Sequence, residues 1–126
     1  MTAPGRRPTD AELAILRVLW ARGPSTVRQV AETMGRAVGY TTVLKLLQIM
    51  AEKGLVTRDE STRTHVYAAA HTEDQTQRQL VNDLVERAFD GSAAKLVLQA
   101  LASRKATPAE LAEIRKLLNR PRGGSR

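Results

Sequence analysis

The sequence predicts a mainly α chain: a winged helix-turn-helix of three helices and a β-hairpin, followed by a helical region. Three observations carry this. Thr9-Asp10-Ala11-Glu12 and Thr26-Val27-Arg28-Gln29 are capping boxes, in which a threonine hydroxyl and the Glu or Gln three residues later satisfy each other's backbone amides. The stretch GYTTVLKLLQIMAEKG, Gly39 to Gly54, reads as a third helix ended by glycine. Two short β-prone runs then follow, separated by a polar segment.

The first helix starts at the Thr9 cap and carries Leu13, Leu16, Leu19 and Trp20 at helical spacing, flanked by Ile15 and Val18. Gly23-Pro24 stops it near Arg22. The second is short, with Val27, Val30, Ala31 and Met34 on one face, and ends near Gly35. The third buries Val43, Leu46, Leu47 and Met50 and ends on Gly54, a suitable left-handed cap. Leu55-Val56-Thr57-Arg58 and Thr64-His65-Val66-Tyr67 are the expected strands, with Asp59 to Arg63 as the loop between them.

Beyond Glu73 the pattern is helical again. Leu80, Val81, Leu84, Val85 and Ala88 mark one helix, closed by Asp90-Gly91, and Ala94, Val97, Leu98 and Leu101 mark another. Thr107-Pro108-Ala109-Glu110 opens the last, with a threonine cap and proline in the first turn, and Leu111, Ile114 and Leu118 form its stripe. The expected division is a winged-helix DNA-binding domain over residues 8–70, a helical dimerisation domain over 72–120 and a disordered tail over 121–126. A helical segment of roughly 50 residues buries too little surface alone. A second copy is expected to cover Leu80, Leu84, Val97, Leu101, Leu111, Ile114 and Leu118.

Composition narrows the function. The 126 residues include no cysteine, which excludes disulfides, thiolate metal sites and cysteine nucleophiles. The two histidines, His65 and His71, have no metal-like spacing, so no metal, no cofactor and no enzymatic site are expected. No apolar run approaches a membrane span and none follows the N-terminal arginines, so a cytoplasmic protein without membrane insertion is expected. The net charge of +7 favours a polyanionic partner such as nucleic acid, although solubility alone explains a charge of this size equally well.

The third helix supplies the motif. Thr41, Lys45, Gln48 and Glu52 fall at i, i+4, i+7 and i+11, a polar stripe opposite the buried one. In a helix-turn-helix the N-terminal part of this helix enters the major groove. Thr41 and Thr42 can bond bases or phosphates, Lys45 a guanine edge or a phosphate, and Gln48 an adenine. Leu44 would pack on a thymine methyl. Tyr40 either offers its hydroxyl to a phosphate or simply packs, and Arg63 at the hairpin tip is the expected wing phosphate contact. The plainer reading of each is a solvated surface residue. A protein-interaction adaptor of the same shape, never touching bases, is the alternative for the whole chain. Trp20, Met34, Met50 and Phe89 read as core, Tyr67 as packed between hairpin and helices, and His65 as an exposed wing residue.

Several segments together resemble the penicillinase-repressor family. These are Thr9-x-Ala11-Glu12-x-x-Ile15-Leu16-x-x-x-Trp20, Thr41-Thr42-Val43-Leu44-x-Leu46-Leu47, Lys53-Gly54-Leu55-Val56 and Arg63-x-x-Val66-Tyr67. The resemblance spans about residues 8–120. It implies a homodimeric repressor of β-lactamase or related antibiotic-resistance genes on a palindromic double-stranded DNA operator. It also implies release when a membrane sensor protease responds to a β-lactam and the repressor is cut in its C-terminal helices. By position, the base contacts fall on Thr41, Thr42 and Lys45, the wing contact on Arg63 and the cut on Gln99-Ala100. Thr62 stands where the family commonly has glycine before the wing arginine, and Gln99-Ala100 where an Asn-Phe-like pair is usual. The C-terminal cysteine cluster of copper-responsive relatives is absent.

Overall fold

The computed structural model describes residues 7–36 and 38–120. The tail expected to be disordered, 121–126, lies outside the described residues. The chain runs α1 (Asp10–Arg22), β1 (Ser25–Thr26), α2 (Val27–Met34), α3 (Tyr40–Lys53), β2 (Val56–Asp59), β3 (Val66–Ala69), α4 (Glu73–Ala88), α5 (Ala93–Ser103) and α6 (Pro108–Asn119). This is the winged helix-turn-helix order, followed by three helices.

Local chemistry sets the element ends. At α1 the Glu12 amide donates to Thr9 Oγ1 (3.2 Å) and the Thr9 amide to Glu12 Oε1 (2.9 Å). The Thr26–Gln29 pair opens α2 in the same way, and Thr107–Glu110 opens α6 with Pro108 in its first turn. Gly54 ends α3 at φ 81° and ψ 14°, where a side chain would be strained.

The sheet has one strand more than the sequence suggests. β3 lies in the middle, antiparallel to both β1 and β2, with Ser25 opposite Tyr67 and Arg58 opposite Tyr67 on the other side. The hairpin strands begin one to two residues later than their apolar pattern implies. Ile15, Leu16, Leu19, Val27, Val30, Val43, Leu47, Met50, Val56 and Tyr67 form one core. Leu46, expected in the buried stripe, is only partly buried at its edge.

Trp20 packs against the core, as expected, but at its edge. It is half-buried, and its Nε1–H donates to the His71 carbonyl at 3.0 Å. The indole therefore fastens the chain leaving the wing onto α1, as a tryptophan with one wet edge does. Thr72 then caps α4, accepting from the Gln75 amide at 3.0 Å.

The chain divides into two compact units within α4, between Val81 and Asn82. In the second unit, Asp90 (φ 54°) and Gly91 (φ 77°) turn the chain between α4 and α5, and Ser92 caps α5. α5 and α6 contain no buried residue. Among the described residues no helix is long and apolar enough to cross a membrane.

Candidate nucleic-acid interface

α3 is positioned from one face. Val43, Leu47 and Met50 are fully buried against α1, α2 and the sheet, which leaves the opposite face outward. Thr41, Thr42, Lys45, Gln48 and Glu52 are all exposed, as is Tyr40 at the helix start. The helix is also fixed at its far end. Lys53 Nζ lies 2.7 Å from Glu12 Oε1 on α1, and the Glu12 side chain is 3% exposed. The spacing at Thr9 shows Glu12 only as a capping residue; its second role needs the folded chain.

Two hollows flank the exposed stripe. One, of about 400 Å3, is lined by Gln48, Ala51 and Glu52 of α3 and by Arg58 of β2. Arg58 is already engaged: the Tyr67 hydroxyl, and then Glu60, hold its pKa above its already high ordinary value. The other, of about 340 Å3, lies by the start of α3. Tyr40 and Leu44 line it from α3, Arg28 from α2, and Arg63 and His65 from the wing. Leu44, expected to be free for a thymine methyl, is instead half-buried against the core.

The wing tip is held by its own polar groups. Asp59 Oδ1 accepts from the Ser61 amide at 2.9 Å, and this bond lowers the Asp59 pKa below its ordinary value. Thr62, in the usual glycine position, donates its hydroxyl to the Thr64 carbonyl at 2.7 Å. Its backbone is not among the positive-φ residues, so the tip turns without a glycine. Arg63 projects from this tip and is exposed.

The structure thus brings Tyr40 and Arg63 to one hollow and places Gln48 at the other, with Thr41, Thr42 and Lys45 exposed on the same helix. Sequence reasoning misses Arg28. Its guanidinium lies 5.9 Å from the centre of the Tyr40 ring, a cation–π contact joining α2 to α3. A signal for it exists: a basic residue in the first turn of a helix opposes the dipole, and α2 has no acidic residue there.

Of the residues expected at a subunit interface, Leu84, Val97, Leu101 and Leu118 are exposed, and Leu80, Leu111 and Ile114 are partly buried. Leu98 and Leu118 are 67% and 73% exposed. Gln99 and Ala100 are exposed within α5. Among the described residues no group of three His, Asp or Glu is placed to hold a metal ion.

Comparison with known proteins places the chain among regulators. The sequence model of the penicillinase repressor family matches residues 8–120. The transcriptional regulator BlaI from two strains of Mycobacterium tuberculosis is 38% identical over 92 residues, 71% of this chain and 67% of its own length. Apo-NmtR in solution is 28% identical with a TM-score of 0.44, and the match covers 61% of this chain and 60% of that one. A probable transcriptional regulator from Pseudomonas aeruginosa, a crystal structure, is 20% identical with a TM-score of 0.48, covering 92% and 80%.

Proposed function

The chain belongs to the penicillinase repressor family, and on that premise we propose that it represses transcription as a homodimer on a palindromic operator. The family is one of DNA-binding transcriptional regulators, not enzymes. The observation that carries the finer reading is the exposed polar face of α3, held at both ends and flanked by the wing arginine. Lys45 and Thr41 read base edges near the helix start, Thr42 and Tyr40 bond the adjoining backbone, and Gln48 reaches the next bases. Lys45 is unpaired with any carboxylate among the described residues, so no competing partner must be displaced.

The exposed apolar residues of α4, α5 and α6 support a dimer through residues 72–120, which would present two recognition helices to two half-sites. The family relationship supports control of β-lactamase or related resistance genes in the cytoplasm. Inactivation by a membrane sensor's protease activity is proposed on the same resemblance, with the cut placed by position at Gln99-Ala100. Each of these is part of the proposal.

Salt titration of duplex binding tests it. Affinity for a duplex with an inverted repeat falls steeply as salt rises, because each neutralised phosphate releases counterions. Binding with neither salt dependence nor sequence preference would mark a protein-interaction adaptor instead. Arg63→Ala is expected to weaken all duplexes alike and to lower the salt slope by about 0.9 for each phosphate that Arg63 neutralises.

A further inference from the structure

We infer that the hollow between the starts of α2 and α3 and the wing is a seat for one backbone phosphate of the bound duplex, with Arg28 as its principal ligand. The inference rests on the proposed DNA binding and adds a positioning residue to it. Three observations point there.

The first is charge. Arg28, Arg63 and His65 line this hollow, and among the described residues no carboxylate does. The hollow at the other end of the stripe has the opposite character, because Glu52 lines it and Arg58, its only cation among the described residues, is bonded to Glu60. Among the described residues neither Arg28 nor Arg63 pairs with an acid. An anion entering here has no carboxylate to displace.

The second is orientation. Stacking on the Tyr40 ring limits where the Arg28 guanidinium can go and leaves its planar N–H groups available. A guanidinium fixed in this way matches two phosphate oxygens and loses little rotamer freedom on binding. The third is the helix dipole. A cation at the second residue of α2 is unfavourable until an anion arrives, and the same helix end then favours that anion.

The location gives this seat a purpose. Tyr40 and Leu44 line it from the same turns of α3 that carry Thr41 and Lys45. A phosphate gripped from α2, α3 and the wing together would set the register of the recognition helix. Phosphate contacts of this kind position a protein without carrying sequence information. Arg28 therefore contributes to every duplex equally.

The test uses the intact protein and a duplex selected by it from a random pool, with an unrelated duplex beside it. Arg28→Gln keeps helix propensity and removes the charge; Arg28→Ala is the second variant. Both are at an exposed position, and unchanged thermal unfolding would show that the fold is kept. We expect several-fold weaker binding to both duplexes and a salt slope lower by about 0.9 per protomer bound. Single phosphates in the selected duplex are then replaced by neutral methylphosphonate. The natural protein should lose affinity at one position per half-site where the Arg28→Gln protein, left with Arg63 and Tyr40 at the hollow, loses several-fold less. If the variant keeps every sensitivity of the natural protein, the seat does not exist. The seat is equally ruled out if Lys105→Ala, a charge loss in the loop between α5 and α6, lowers the slope by the same amount. If the natural protein binds neither duplex, the DNA reading itself fails, a result distinct from the other two.

Discussion

A chain ending after Val81 is expected to bind a duplex of two half-sites about a hundredfold to ten-thousandfold more weakly than the intact protein. Ending there keeps the bond from Trp20 to His71 and the Thr72 cap, so the winged unit retains its own contacts. What is lost is the proposed link between two copies. α5 and α6 bury none of their residues, and Leu98, Leu117 and Leu118 are more than half exposed. Apolar surface of this extent on a small helical unit calls for a cover, and the proposed second copy would provide one with self-complementary symmetry. Joined half-site binding then makes the second contact nearly intramolecular, which is the source of the large factor. Cutting at Gln99-Ala100 would act similarly by removing α6 and part of α5. In sedimentation at micromolar concentration the intact chain should run as a dimer and the shortened chain as a monomer. An intact chain that sediments as a monomer removes both the interface and the release mechanism built on it.

Lys53→Met is expected to cost about 3–5 kcal/mol of stability, more than removing its partner. The asymmetry follows from burial. Lys53 retains 19% of its side-chain exposure and can turn to water when Glu12 is gone, whereas the Glu12 carboxylate cannot. Its Oε1 accepts from both Lys53 Nζ (2.7 Å) and the Thr9 amide (2.9 Å), so loss of the lysine leaves a buried charge with one neutral donor. Glu12→Gln keeps an acceptor for Thr9, and its cost should stay near ~1 kcal/mol. Denaturant midpoints of the two variants compare them directly. The reverse order would mean that desolvation of Lys53, rather than of Glu12, dominates the pair. Because the pair ties the end of α3 to α1, Lys53→Met should also loosen the helix that carries Thr41 and Lys45.

The elements legible in the sequence are those built from neighbours. A capping box needs four consecutive residues, and those expected at Thr9 and Thr26 are present, while the threonine cap expected at Thr107 is a full box with Glu110. Gly54 likewise announces its turn locally. β1 is invisible in the sequence because Ser25 and Thr26 have no strand pattern of their own; they are a strand only because β3 lies beside them. The Glu12–Lys53 pair spans 41 positions and the Trp20–His71 bond 51, distances at which no periodicity speaks. Trp20 reads as core because an apolar stripe does not say which of its members sits at the edge. In the candidate site, the outward stripe of α3 is readable from spacing, since it is the complement of the buried one. The hollow that unites Arg28, Tyr40 and Arg63 is not, because three separate elements create it.

Whether the outward face of α3 reads base edges is tested most directly at Lys45. Affinities of the natural protein, Lys45→Ala and Thr41→Ala would be measured on a selected duplex and on a panel with each base pair changed in turn. Each variant is expected to lose about 1–3 kcal/mol on the selected duplex and to stop discriminating at one position per half-site, while its affinity for unrelated DNA changes little. A Lys45→Ala protein with the natural affinity and the natural preference at every position would contradict the assignment of α3 as the recognition helix.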